Sequence, residues 1–214
     1  MGRVMKSDFN PQCITYSQMN LIFNSRMYFR RLATWTRAYL LSRYLGIGTA
    51  EEQFGRFYLE AQYLGNMLDF FFGRELANRD ERLAAQFTII MRDLISAQME
   101  GNAEEIDRHL AELYQNAADR AAFAAEINPY WNKDELTELL NRFVQNTIEE
   151  INDLITGIYE LGADPYGPLI VLTEELGDFI AQGLYAYITS GAESSAGTVH
   201  ECECITMDQL NTIY

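Results

Sequence analysis

The chain has 214 residues, 48% of them hydrophobic, with 13 Tyr and 12 Phe, so it carries enough apolar surface for a core and does not read as a disordered polymer. Its formal net charge of −15 has the wrong sign for a polyanion, which excludes nucleic acid as the expected partner. No run of 18 or more apolar residues marks a membrane span and no secretory signal opens the chain, so a cytoplasmic location without a membrane partner is expected.

Only four prolines (Pro11, Pro129, Pro165 and Pro168) interrupt the chain, which leaves long stretches free of helix breakers. Residues 1–16 read as a loose leader, with a turn signal at Asn10-Pro11. Ser17 is placed as the cap of a first helix running to about Leu45, where Leu21, Phe29, Leu32, Trp35 and Tyr39 recur at helical spacing and Gly46 and Gly48 end it. Thr49 and Glu52 have the spacing of a capping box for a second helix, which weakens near Gly65 and ends before Gly73. Phe70-Phe71-Phe72 cannot lie on one amphipathic face, so this segment is expected as a buried connector.

A third helix is predicted from Arg74 to about Met99, and an Ala-rich fourth from Ala103 to Ile127. Asn128-Pro129-Tyr130-Trp131 is a break, because proline disfavours helix at the residue before it. Asn132 with Glu135 caps a fifth helix that extends to about Leu161. After a loop at 162–167, Pro168 suits the first turn of a sixth helix ending near Thr189. No strand-type alternation and no internal repeat is present. The expected fold class is therefore all-α: an antiparallel helical bundle of four to five long helices plus shorter ones. It forms a single domain over 17–189, between the leader and a flexible tail at 190–214.

Charge is polarised along the chain. Residues 1–48 hold seven Lys/Arg and one acid, whereas 143–214 hold no Lys or Arg and 12 acids. On the first helix Arg26, Arg30 and Arg37 fall within about 40° of one another. Two arrangements follow. The commoner is pairing inside the bundle with Glu149, Glu150, Glu174 or Glu175. The other is a ligand site for an anion, built from Arg26, Arg30 and Arg37 with Glu174 and Asp178.

Catalytic and metal signatures are sparse. A di-iron bundle needs Glu-x-x-His on two helices, but His109 is preceded three residues earlier by Ile106. Glu105 and His109 have i, i+4 spacing and read as a solvated helix pair. In the tail His200, Cys202 and Cys204 form a weak candidate metal set to which Cys13 could add a ligand, but Cys-x-Cys is tighter than structural zinc prefers. Phosphate-binding and nucleophile-elbow motifs are missing. Trp35, Phe70, Phe71, Phe72, Tyr130 and Trp131 read as core rather than as a cofactor box. No catalytic residue and no cofactor is expected.

Trp35-Thr36-Arg37, Phe70-Phe71-Phe72-Gly73, Tyr114 with Asn116-Ala117-Ala118-Asp119, and Ile127-Asn128-Pro129-Tyr130-Trp131 together resemble a family of uncharacterised bacterial all-helical proteins of about this length. The likeness runs over 17–189. The resemblance implies relatives with a His on each of three helices, at the positions of Leu32, Phe87 and Phe143, and acids at Glu174 and Asp178. Any metal or polar site of that kind is expected to be replaced by packing here. Some such sequences carry an acetylglutamate kinase label. Amino-acid kinases of that sort are α/β proteins with Gly-rich phosphate loops, and these residues give that label no support. The expected function is that of a non-enzymatic bundle acting through self-association or a protein partner surface. The alternative is a ligand- or metal-binding bundle, a degenerate enzyme included.

Overall fold

The computed structural model describes residues 14–157 and 166–192. Six helices make up nearly all of them: α1 (Tyr16–Leu45), α2 (Ala50–Phe72), α3 (Arg74–Glu100), α4 (Ala103–Ile127), α5 (Lys133–Thr156) and α6 (Tyr166–Ala192). The class is all-α, with no β-strand among the described residues. All six helices are long, from 23 to 30 residues, where four to five long ones with shorter companions were expected. The leader and tail outside 14–192 lie beyond the described residues.

Local chemistry sets most boundaries. Thr15, not Ser17, caps α1. Its Oγ1 accepts from the Gln18 N–H at 3.2 Å, and Gln18 Oε1 accepts from the Thr15 N–H at 2.8 Å, so two orphan donors are satisfied together. Thr49 precedes α2 as expected, but its side chain makes no cap bond, so the capping box is not formed. Asn132 accepts from the backbone of Asp134 and Glu135 and caps α5. Gly157, at φ 66°, ends α5 five residues before the expected Leu161.

α2 does not weaken at Gly65, and the Phe70–Phe72 segment is its last turn rather than a connector. Successive helical residues point about 100° apart, so the three rings cannot all face inward. Phe70 is 85% exposed, while Phe71 and Phe72 pack against the core. The connector is Gly73 alone, whose φ of 83° lets α3 reverse at once against α2.

The helices alternate up and down, and each packs against its chain neighbours. Tyr39 stacks on Phe57 of α2, Arg79 of α3 meets Glu126 of α4, and Arg142 of α5 meets Glu175 of α6. α6 returns to lie along α1 and closes the ring. A continuous core fills the centre, with Phe29, Tyr39, Leu40, Phe57, Met91, Leu113, Ile151 and Leu172 fully buried.

The Asn128–Trp131 turn is a latch. Asn128 Nδ2 donates to the Gly183 carbonyl at 3.0 Å, and Trp131 Nε1 donates to the Ile180 carbonyl at 3.2 Å. The indole lies directly on Gly183, where any Cβ would overlap it. The Asn-Pro-x-Trp signature thus clamps the α4–α5 turn onto α6.

Candidate functional site

The predicted Arg stripe lies on the seam between α1 and α6. Arg26 grips Asp178 with two parallel bonds, Nε to Oδ1 at 2.6 Å and Nη2 to Oδ2 at 2.7 Å. This bond raises the Arg26 pKa above its ordinary value, against the effect of burial. Arg30 pairs with Glu174, and Arg37 pairs with Glu150 of α5 at 2.9 Å while its guanidinium lies over the Tyr166 ring. Arg26, Arg30, Arg37, Glu174 and Asp178 therefore meet along one seam, but as partners of opposite sign. A carboxylate or phosphate entering here must displace an acid of the protein's own. At Gly177 a Cβ would overlap the Arg26 backbone, so a small residue there lets the two helices approach.

His200, Cys202, Cys204 and Cys13 lie outside the described residues. Within the described residues no three His, Cys, Asp or Glu side chains are grouped to hold a metal ion. His109 is buried rather than solvated. Its Nδ1 bonds Glu112 at 2.9 Å, and Glu105 approaches Nε2 at 3.5 Å.

The sequence reading missed a polar centre inside the bundle. Asp80 of α3 and Arg120 of α4 are only 6% and 8% exposed. Both line a cavity of about 30 Å³, whose other walls include Phe29, Leu64, Phe123, Trp131 and Leu140. They feel each other's charge, yet make no direct ion pair among the described residues. Burial pushes the Asp80 carboxyl up to about 6, with Arg120 opposing and Glu81 adding. Tyr28 of α1 lies beside Arg120, and its hydroxyl is pushed up to about 12, chiefly by burial. Asn116 Nδ2 donates to the Leu83 carbonyl at 2.9 Å. Nearby on α2, Glu60 is buried and pairs with Arg31 at 3.0 Å. A signal did exist: Asp80 falls on the apolar stripe of Ala77, Ala84 and Phe87, and Arg120 on that of Leu113, Ala117 and Ala124. A charge on an inward face needs a partner or a polar cavity.

A smaller cavity of about 10 Å³ adjoins the first and shares Phe29, Arg120 and Leu140 with it. Leu32, Phe87 and Phe143, from three different helices, all line it. Phe87 and Phe143 meet edge-on with centroids 6.0 Å apart. The three positions that the family resemblance singled out thus converge, and apolar side chains pack there. Glu174 and Asp178 do not join them, because both are engaged with arginines on the outer seam.

The outer surface carries a further feature. Tyr16, Met19, Phe23 and Met27 form an exposed stripe along α1, and Leu59, Tyr63 and Phe70 form another on α2. The two helices are adjacent, with Arg31 of α1 lying 3.8 Å over the Tyr63 ring. No described helix is long and apolar enough to cross a membrane. No protein family, curated protein or solved structure matches the chain.

Proposed function

We propose that this protein is a non-enzymatic helical bundle that works by self-association through the outer face of α1 and α2. The observation that carries this reading is the exposed apolar stripe. Phe23 is 63% and Tyr16 64% exposed, with Phe70 more exposed still. At roughly 200 Å² for a large side chain, the seven exposures come to roughly 700 Å². Taken together, the two stripes approach the ~800 Å² each partner contributes to a standard interface. A second copy is the favoured occupant for two reasons. Residues 16–25 carry no charge in a chain of net −15, so self-repulsion is weakest there. A straight helical stripe also complements itself about a twofold axis.

Native mass spectrometry of the purified protein, with metal analysis of the same sample, tests this. An oligomer that the double variant Phe23→Glu/Phe70→Glu turns into a monomer of unchanged helicity is the expected result. A wild-type monomer at high micromolar concentration would remove the proposal.

A second reading, a ligand-binding or degenerate catalytic bundle, has one supporting observation: Leu32, Phe87, Phe143 and Arg120 surround a common interior cavity. A stoichiometric metal or an unexplained bound mass retained by a monomer would favour it over self-association.

A further inference from the structure

We infer that the chamber between Asp80 and Arg120 is a binding site for two water molecules, which bridge a buried ion pair across the centre of the bundle. The argument starts from unmet hydrogen bonds. Asp80 Oδ2 and Asn116 Oδ1 are both buried without a hydrogen-bond partner. Natural proteins leave few such groups, since each costs the desolvation that a bond would have returned. Asp80 lines the larger cavity and Asn116 the smaller, with Arg120 on the wall of both.

Volume selects the ligand. A water needs about 10–15 Å³ of this kind of space and two to four polar neighbours. The larger cavity, at about 30 Å³, accommodates two waters and no organic molecule. Chemistry selects it again. Both orphaned atoms are acceptors, so an anion beside Arg120 would face a carboxylate and an amide oxygen. Water donates to the acceptors while accepting from the guanidinium. The raised pKa of Asp80, caused chiefly by burial, agrees with sparse solvation rather than a bulk-like pool. Apolar walls from Phe29, Leu64 and Trp131 keep the pair of waters from exchanging freely.

Oxygen-17 water relaxation dispersion counts long-lived internal waters. Wild type is compared with Asp80→Leu/Arg120→Met, which removes both charges together and fills the chamber with apolar atoms. Loss of two long-lived waters in the variant is the expected result, and an unchanged count would overturn the proposal. A high-resolution crystal structure of the wild type grown in bromide gives a reading that does not depend on the variant folding. Two water peaks between Asp80 and Arg120 support the site. Direct contact of the two side chains around a dry cavity, or an anomalous bromide peak, would refute it.

Discussion

Asp80 binds its proton more tightly in the folded protein than in the unfolded chain, because burial penalises the carboxylate. The sign of its pH effect follows. Its contribution to stability is fully present below the unfolded pKa of about 4 and is lost as pH rises through about 6. Asp80→Asn removes this dependence. Urea denaturation should show the variant gaining on wild type by about 2 kcal/mol between pH 4 and pH 7, and parallel profiles would sink the idea. The Arg stripe divides by burial in the same way. Arg37→Ala removes the guanidinium paired with the buried Glu150 carboxylate and should cost about 3 kcal/mol. Arg30→Ala breaks a pair that is more than two-fifths exposed on both sides and should cost less than about 1 kcal/mol. Chemical denaturation of the two variants checks the ordering. In the sequence all the stripe arginines look alike. Which of them faces a buried acid depends on α5 and α6, more than a hundred residues away.

Close helix approach separates three glycines that look equivalent in the sequence. Gly177→Ala drives a methyl group into the Arg26 backbone, and Gly183→Ala drives one into the Trp131 indole. The first neighbour is backbone and the second a buried indole, so each variant should lose about 1–3 kcal/mol. The three nearest atoms to a Cβ at Gly65 all belong to the Glu81 side chain, not to backbone or a ring. Gly65→Ala should therefore be neutral or slightly stabilising, since alanine favours helix by about 1 kcal/mol. Thermal unfolding of the three variants tests the contrast. A melting temperature at Gly65→Ala that falls as far as at Gly183→Ala would show the Glu81 contact to be rigid. The same latch explains why Asn128 and Trp131 stand out as a motif. They satisfy helix carbonyls of α6, a partner that no local pattern announces.

For the whole molecule, closure of the ring by α6 against α1 makes the core continuous. Unfolding should then be cooperative. Far-UV circular dichroism and tryptophan fluorescence, from Trp35 and Trp131, should report one coincident denaturant transition. Separate midpoints would mean that the α1–α2–α3 half and the α4–α5–α6 half stand alone. If the bundle self-associates through α1 and α2, that midpoint should also rise with protein concentration. A midpoint independent of concentration would argue against an oligomer that contributes to stability.

The sequence by itself determined the all-α class, the six helical stretches and most of their ends. Helix formation and capping are local: apolar spacing, Asn132, Gly46 and Gly101 act within a few residues of themselves. It also showed the opposed charges that now pair between α1 and the last two helices, though not which arginine meets which acid. Tertiary structure alone decided the rest. Phe70 faces outward while Phe71 and Phe72 pack inward, because the helix continues to its last residue before Gly73. Asp80 and Arg120 form an interior centre because two inward faces, 40 residues apart in the chain, meet across a cavity. Such meetings are set by ring closure and helix register, which no short window of sequence contains.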